Sequence, residues 1–323
     1  MSSYDCIVVG GGQAGLATGY YLRKYGIDFV IFDDHDRPGG SWHNAWDSLT
    51  LFSPANASNL PGLPMPRVNG FPPADHVVDY LTKYEAHYDL PVRHGVTVQR
   101  VDFDGDKFLV ATTTGEFSAR TVVGATGTWS TPFVPAYPGT FSGEQWHTKN
   151  YPGTAPFRGA SVSVVGGGNS GAQIAADLLL NPAVGDVRWY TRGAPRWMPD
   201  DVDGRVLFRR NRERLNALMR GEEDPGSESE LGDIVVVPPV KKARDAGLMD
   251  TQRMFDSLDD VCTDHLIWCT GFRPTLGPFR HVRKAPGLFL VGYGTWTGPG
   301  SATLTGVGPF AKHTAQQIRE LTR

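Results

Sequence analysis

Gly10–Gly15 (GGGQAG) and Gly166–Gly171 (GGGNSG) are two stretches with the spacing GxGxxG. Each follows a short β-branched run, Asp5–Val9 or Ser161–Val165, and each begins a helical pattern. Glycines in this context permit a tight turn and let backbone N–H groups at a helix N-terminus reach a pyrophosphate. One match carries little weight in a chain with 39 glycines among 323 residues, because glycines also serve close strand–helix packing. Two matches in the same context predict two dinucleotide-binding units.

The residue that ends the second strand of each unit indicates which dinucleotide binds there. After the first motif, the run Asp28–Asp33 ends in a carboxylate that can accept hydrogen bonds from ribose hydroxyls, as is typical for an adenosine without a 2′-phosphate. After the second motif, the run Val187–Thr191 is followed by Arg192, which can pair with a 2′-phosphate. We therefore expect FAD at the first unit and NADPH at the second. Acceptance of NADH stays open, because an exposed Arg is also an ordinary solvated charge.

Strand and helix patterns alternate along the chain and predict an α/β fold with parallel sheets covered by helices. A charged segment that contains Gly and Pro, Leu215–Glu230, is predicted to lie on the surface. The predicted helices are Gln13–Tyr25, His76–Tyr88, Asn169–Leu180 and Val307–Leu321. The predicted strands are Asp5–Val9, Asp28–Asp33, Val96–Val101, Phe108–Thr112, Thr121–Val123, Ser161–Val165, Val187–Thr191, His265–Cys269 and Leu288–Val291.

Composition excludes several classes of protein. The formal net charge is −3, which argues against binding to nucleic acid or to an anionic membrane. The cysteines, Cys6, Cys262 and Cys269, form no CxxC, so we expect no disulfide framework, no metal site and no thioredoxin-reductase-type chemistry. Two uncharged segments, Thr121–Gly143 and Gly287–Ala311, are too rich in Gly, Pro, Ser and Thr for membrane helices. Without a signal-peptide pattern at the N-terminus, the expected location is cytoplasmic.

A third motif lies between the two units, where Phe141–Tyr151 reads FxGxxxHxxxY. It resembles the signature of the flavin-containing monooxygenases, the class B flavoprotein monooxygenases, and their Baeyer–Villiger relatives. The final Tyr, where Baeyer–Villiger members tend to have Trp, favours heteroatom oxidation. Pro38–Trp42 is similar to the segment that borders the flavin in this family, and Ala125–Gly127 and Cys269–Gly271 are similar to its two interdomain linkers.

The resemblance covers essentially the whole chain and extends to a small bacterial subgroup, some of whose members are encoded near arsenic-resistance genes. The stretches that carry it are Trp46–Pro54, Asp200–Arg205 and Gly292–Trp296. In the family, NADPH reduces FAD, O2 forms a C4a-(hydro)peroxyflavin, and one oxygen atom passes to a soft nucleophile while the protein excludes water. The resemblance therefore implies an FAD-dependent NADPH monooxygenase, an oxidoreductase that oxygenates a small sulfur or nitrogen compound, with weak Baeyer–Villiger activity left open.

The resemblance also implies the domain organisation and the site residues. Two Rossmann-like, doubly wound domains are expected, with the NADPH domain (128–270) inserted in a discontinuous FAD domain (1–127 and 271–323). The expected partners are a small-molecule substrate and O2, and a homodimer is compatible with the family. The predicted residues of the catalytic region are His147, Phe52, Ser53 and Tyr151. The predicted cofactor-binding residues are Gly10, Gly12, Gln13, Ala14, Gly15, Asp33, Asp34, Gly40, Ser41, Trp42, Ala125, Thr126, Gly127, Gly166, Gly168, Asn169, Ser170, Gly171, Thr191, Arg192, Cys269, Thr270, Gly271 and Trp296.

Two alternatives keep the dinucleotides and change the function. Many family members have an Asn near the flavin where this chain has Phe52-Ser53-Pro54, so an NAD(P)H oxidase or a reductase without oxygen transfer stays open. A nucleotide-sensing scaffold without turnover is the second alternative. In both monooxygenase and oxidase, His147 is expected to organise the domains or the nicotinamide site, and not to act as a general base.

Overall fold

Two β-sheets form the frame of the molecule, and a computed structural model describes residues 2–323. In chain order the strands are β1 (Ser2–Val9), β2 (Phe29–Phe32), β3 (Val92–Arg93), β4 (Val98–Phe103), β5 (Phe108–Thr112), β6 (Gly115–Gly124), β7 (Glu144–His147), β8 (Val162–Val165), β9 (Val187–Thr191), β10 (Thr251–Arg253), β11 (His265–Trp268) and β12 (Leu288–Leu290). The helices are α1 (Gln13–Lys24), α2 (Ala74–His87), α3 (Asn169–Leu179), α4 (Gly204–Met219), α5 (Pro238–Asp245) and α6 (Val307–Leu321).

The first sheet combines a parallel part with an antiparallel extension. Its parallel strands run in the order β3-β2-β1-β6, with β12 beside the end of β6, whereas β5 and β4 extend the sheet from the start of β6 in antiparallel pairing. Side chains of β1 alternate between two buried layers. Cys6 and Val8 pack with α1, α2 and α6, while Ile7 and Val9 pack with the inner face of β4 and β5. Burial on both faces explains why β2 and the second half of β1, Cys6–Val9, are unbroken apolar runs in the sequence.

The second sheet is parallel throughout, in the order β10-β9-β8-β11-β7. All four residues of β8 are buried, and α3 and α5 pack in the same apolar cluster as β8. The chain builds most of the first sheet up to Gly124, forms the second sheet between Glu144 and Trp268, and returns to the first at Leu288. This path confirms the predicted α/β fold with one Rossmann-like unit inserted in the other. The domain boundaries after residues 127 and 270 stay a prediction.

Most predicted elements agree with the structure, and the differences have a physical reason. Helix α6 and strands β5 and β9 have the predicted bounds. Helix α4 was not predicted, because its many arginines hide an apolar face whose buried residues are few. The predicted surface segment Leu215–Glu230 is largely exposed, and its first residues, up to Met219, complete α4. Within residues 2–323, no helix has both the length and the apolar character that a membrane crossing requires.

Candidate dinucleotide-binding sites

The first glycine motif connects β1 to α1, and close backbone contacts exclude a side chain at two of its positions. Gly10 has φ +108°, and a Cβ there would lie 2.5 Å from the carbonyl oxygen of Ala125. A Cβ on Gly15 would lie 1.8 Å from the carbonyl oxygen of Gly10. At Gly12, by contrast, a Cβ would meet nothing within 4 Å. The turn is therefore packed on its inner side and open at the start of α1, where a pyrophosphate would bind.

The second glycine motif, between β8 and α3, has the same set of contacts. Gly166 has φ +141°, and a Cβ there would lie 2.3 Å from the carbonyl oxygen of Cys269. A Cβ on Gly171 would lie 2.0 Å from the carbonyl oxygen of Gly166, and one on Gly168 would meet nothing within 4 Å. Both motifs thus press against the first residue of a predicted linker. The internal repeat is one of geometry as well as of sequence.

A cavity of about 340 Å³ opens at the first motif. Gly40 lies against the motif, with a would-be Cβ 3.0 Å from the Cα of Gly12. Trp42 Nε1 donates to Gln13 Oε1 at 3.2 Å, which ties the PGGSW segment to the start of α1. The cavity brings together these predicted cofactor-binding residues: Gly10, Gly12, Gln13, Ala14, Asp33, Asp34, Gly40, Ser41, Trp42, Ala125, Thr126 and Gly127.

Asp33 is the buried charge of this cavity, and only 3% of its side chain is exposed. His35 Nδ1 lies 3.3 Å from Asp33 Oδ1 and 3.1 Å from Asp34 Oδ1. Hydrogen bonds that His35 donates to these two carboxylates, Asp33 first, raise the pKa of His35 to about 10. The same contact with His35 lowers the pKa of Asp34. His35 is therefore cationic at neutral pH and offsets part of the negative charge beside the cavity.

A second cavity, of about 470 Å³, opens at the second motif. Arg192 lies at its edge, is exposed, and has no carboxylate within ion-pair distance in residues 2–323. Arg196 also lines this cavity but pairs with Asp233 at 3.6 Å. The side chain of Asn169 accepts a hydrogen bond from the Val235 backbone at 2.8 Å and so holds the loop before α5. The predicted residues that line the second cavity are Gly166, Thr191, Arg192, Cys269 and Thr270.

His147 lies at a junction between the two crossover segments. Its Nδ1 accepts from the Lys149 N–H at 3.0 Å, so the ring proton is on Nε2, which donates to the Gly271 carbonyl at 3.1 Å. The Phe133 N–H donates to the same carbonyl at 2.9 Å. Burial lowers the pKa of His147, which keeps the imidazole neutral. The ring also packs edge-on against Phe272, with centroids 5.0 Å apart.

Tyr151 belongs to the core of the second unit. It is 4% exposed, and its hydroxyl donates to Asp177 Oδ2 on α3 at 2.8 Å. Burial, and secondarily the charge of Asp177, raises the pKa of the phenol far above its ordinary value. The ring stacks on Phe157 and meets Trp46 edge-on. Tyr151 lines neither cavity, and its hydroxyl is fully engaged by Asp177.

Phe52 and Ser53 lie beneath the N-terminus of α4. The Gly204 N–H donates to the Phe52 carbonyl at 2.7 Å, and a Cβ on Gly204 would lie 2.5 Å from Ser53 Cβ. Ser53 is 2% exposed, and its hydroxyl lies 2.7 Å from that of Ser58. Phe208, on the next turn of α4, meets Phe52 with ring centroids 6.0 Å apart. This segment is closed off by α4 and lines neither cavity.

The remaining predicted residues are near the motifs without lining the cavities. Trp296 is 57% exposed, so it is not brought together with the first cavity. Gly15, Gly168, Asn169, Ser170, Gly171 and Gly271 also do not line either one. The sequence analysis missed cavity-lining residues that come from distant segments. Some of them, such as Trp129 and Ser130, lie next to a predicted linker and could have been found from that position. In the first cavity the missed residues include Val96, Thr97, Val98, Trp129, Ser130, Thr275, Pro278 and Ala302, and in the second Phe133, Tyr137, Tyr190, Arg196, Asp233 and Met254.

Gly12→Ala and Gly15→Ala are a matched pair that separates cofactor binding from folding. Gly12 has φ −76° and faces open space, so Gly12→Ala should change the free energy of unfolding by less than about 0.5 kcal/mol while raising the Kd for FAD at least about tenfold. Gly15→Ala should destabilise the apoprotein by about 1–3 kcal/mol, because its Cβ overlaps the Gly10 carbonyl. Denaturant unfolding and a fluorescence titration with FAD measure the two effects. Equal losses of stability in the two variants would contradict this geometry.

His35→Gln tests the charge beside Asp33. The pKa of His35 in the folded protein, about 10, exceeds the ordinary 6.5, so protonated His35 stabilises the fold fully below pH 6.5 and loses this effect as the pH rises through 10. We therefore expect the free energy of unfolding to fall more steeply between about pH 7 and about pH 10.5 in the wild type than in His35→Gln. Urea unfolding across that range measures the difference, and parallel profiles would rule it out.

Comparison with known proteins identifies the family of this chain. Residues 7–286 match the family described as pyridine nucleotide-disulphide oxidoreductase. The flavin-containing monooxygenase from Stenotrophomonas maltophilia is 39% identical, with 99% of each chain covered and a TM-score of 0.87, and a double mutant of that enzyme gives a TM-score of 0.88. An uncharacterized CzcO-like oxidoreductase of Geobacillus kaustophilus is 30% identical over 97% of this chain and 98% of its own length.

The structure offers what a flavin and a nicotinamide dinucleotide need. Each motif leaves an open helix N-terminus, and the buried carboxylate of Asp33 lines the first cavity. Family membership implies FAD together with a nicotinamide cofactor. This chain therefore belongs to the pyridine nucleotide-disulphide oxidoreductase family and is an oxidoreductase of its flavin-dependent monooxygenase branch.

Proposed function

We propose that the chain is an FAD-dependent NADPH monooxygenase that transfers one oxygen atom from O2 to a small sulfur or nitrogen compound. The observation that carries the proposal is the pair of glycine motifs with matching contacts and different strand-end residues. The first motif is completed by the buried carboxylate of Asp33, and the second by Thr191 and the exposed Arg192. A carboxylate suits the ribose of FAD, and an unpaired guanidinium suits the 2′-phosphate of NADPH.

The proposed cofactor contacts follow from the two cavities. Backbone N–H groups from Gly12 to Ala14, at the start of α1, would hold the FAD pyrophosphate, with Asp33 on the ribose. The start of α3 would hold the NADPH pyrophosphate in the same way. Bound FAD supplies electron storage and the reaction with O2, which no amino-acid side chain provides. The absence of any CxxC in the sequence removes the redox pair that thioredoxin-reductase-type chemistry uses.

We assign the residues of the predicted catalytic region to structural tasks around the reaction. Neutral His147 fixes the second linker through Gly271 and does not take protons from a substrate. Tyr151 anchors the segment that follows β7 to α3 through a hydrogen bond to Asp177. Phe52 and Ser53, covered by α4, would keep water out of the region beside the flavin. The proposal thus needs no nucleophile and no general base from the protein.

An oxidase is the second candidate, and one observation favours it. At the position where related monooxygenases have an Asn near the flavin, this chain has Phe52 and Ser53. Ser53 is 2% exposed, and its hydroxyl already forms a hydrogen bond with the hydroxyl of Ser58. It therefore offers no free donor in place of the missing amide. Without such a donor, reduced cofactor and O2 would give hydrogen peroxide in place of an oxygenated product.

Product balance distinguishes the two candidates. The holoprotein is mixed with NADPH and a dialkyl thioether in air-saturated buffer, and NADPH consumption, sulfoxide and hydrogen peroxide are quantified. A monooxygenase is expected to form nearly one sulfoxide per NADPH, and rapid mixing of the NADPH-reduced protein with O2 should show a transient flavin spectrum that decays faster with thioether. Peroxide equal to the NADPH consumed, without sulfoxide, would establish the oxidase. No NADPH consumption above a protein-free control would contradict both.

Arg192→Ala tests the NADPH assignment. Because Arg192 has no ion-pair partner and lines the second cavity, removing its charge should raise KM for NADPH about tenfold or more and change KM for NADH less than about twofold. Arg212→Ala, which removes an exposed Arg on α4, is the matched control and should change neither constant. Steady-state kinetics with both nucleotides measures the effect. An equal rise for NADPH and NADH would exclude recognition of the 2′-phosphate by Arg192.

A further inference from the structure

A line of three titratable side chains leads from helix α2 to the first cavity. Asp33 follows β2, His94 follows β3, and Glu85 lies on the last turn of α2. His94 Nδ1 lies 3.4 Å from Asp33 Oδ2, and His94 Nε2 lies 2.9 Å from Glu85 Oε1. The exposed side-chain fractions are 3% for Asp33, 18% for His94 and 14% for Glu85. Three separate elements thus converge on one imidazole.

The line acts on the cavity through its end member. Asp33 lines the first cavity, whereas His94 and Glu85 do not. His35 faces the other oxygen of Asp33, Oδ1, at 3.3 Å. Asp33 is therefore held between two imidazoles, one at the cavity wall and one behind it. The group behind it is in turn oriented by Glu85.

The line contains an incomplete contact. Asp33 Oδ2, His94 Nδ1 and Glu85 Oε2 are buried and have no hydrogen-bond partner within residues 2–323. Buried polar atoms of this kind are rare in folded proteins because an unmade hydrogen bond is costly. Nδ1 and Oδ2 lie 3.4 Å apart without forming a hydrogen bond, so a small shift of the carboxylate would satisfy both. A ligand that forms a hydrogen bond with Asp33 can cause that shift of the carboxylate.

We propose that His94 and Glu85 are positioning residues for the ribose of FAD, holding Asp33 in the orientation that accepts from the ribose hydroxyls. The inference rests on the proposed assignment of FAD to the first cavity. Glu85 fixes the ring of His94 through Nε2, and the opposite nitrogen fixes one oxygen of Asp33. The other oxygen, Oδ1, lies 3.3 Å from His35 Nδ1 and has a second lone pair with which it can accept from a ribose hydroxyl. The ring of His94 also lies between the two carboxylates and so keeps Asp33 and Glu85 apart.

The experiment compares FAD with an analogue whose adenosine ribose lacks the 2′- and 3′-hydroxyls. Each Kd is measured on the apoprotein by flavin fluorescence, and the readout is the ratio of the two constants. In the wild type, FAD is expected to bind on the order of tenfold more tightly or better than the analogue. Asp33→Asn should bring the ratio close to one. An unchanged ratio in Asp33→Asn would overturn the proposal at its first step.

His94→Phe is the main variant, because it keeps an aromatic ring and removes both nitrogens. It should lower the ratio on the order of tenfold, since the ribose hydroxyls lose a correctly held acceptor. His94→Asn, whose amide can donate to Asp33 from near the Nδ1 position, should recover part of it. His87→Phe, an exposed His on the same helix as Glu85, is the control and should leave the ratio unchanged. Equal weakening of both ligands by His94→Phe would show a merely structural role and overturn the proposal.

Glu85→Gln keeps the test decisive if His94→Phe does not fold. The amide retains the size of the side chain and removes its charge, so the ratio should fall about threefold to tenfold. No fall in a folded Glu85→Gln protein would overturn the role of Glu85. Binding is measured without NADPH or O2, so an oxidase would give the same ratios as a monooxygenase. A wild-type protein that binds neither ligand would overturn both this proposal and the proposed function.

Discussion

Contact between bare backbone segments is the constraint on which the rest of the structure depends. At each glycine motif, the carbonyl oxygen of the first glycine occupies the space that a Cβ on the last glycine would need. A Cβ on the first glycine would in turn overlap the carbonyl oxygen of a linker residue. A strand end, a helix start and a linker therefore meet at distances that exclude side chains. This contact sets each helix N-terminus at the carboxyl edge of a parallel sheet, where dinucleotide phosphates bind. The position of both cavities, at the edge of a sheet and outside the apolar core, follows from this contact.

The linkers connect the two motifs physically as well as along the chain. Thr126 Oγ1 donates to the Thr275 carbonyl at 2.6 Å, and the Gly271 carbonyl accepts from both Phe133 and His147. Trp129, after the first linker, stacks on Phe272, after the second, with ring centroids 4.9 Å apart. Any displacement of one cavity relative to the other must therefore strain shared hydrogen bonds. Neutral His147 contributes to this junction by geometry and not by charge.

The two cavities differ in charge although their backbone is alike. At the first, a buried carboxylate is flanked by His35 and His94, because a charge removed from water needs partners of opposite sign or good donors. At the second, the cationic Arg192 lies in solvent and needs none. The two strand–turn–helix units thus differ in the charge of the residues that follow their second strand.

The sequence by itself determined the elements whose signal is local. Apolar runs and glycine spacing located β9, α6 and both motifs, because strand burial and backbone approach depend on neighbouring residues. It did not determine α4, whose charged surface masks a narrow buried face, nor the exposed position of Trp296. No spacing in the sequence could predict that Asp33, Glu85 and His94 lie side by side, since the three elements that contain or precede them must first pack together. Tertiary structure alone decided which polar groups share a buried site, because burial and pairing of charges are properties of the packed chain.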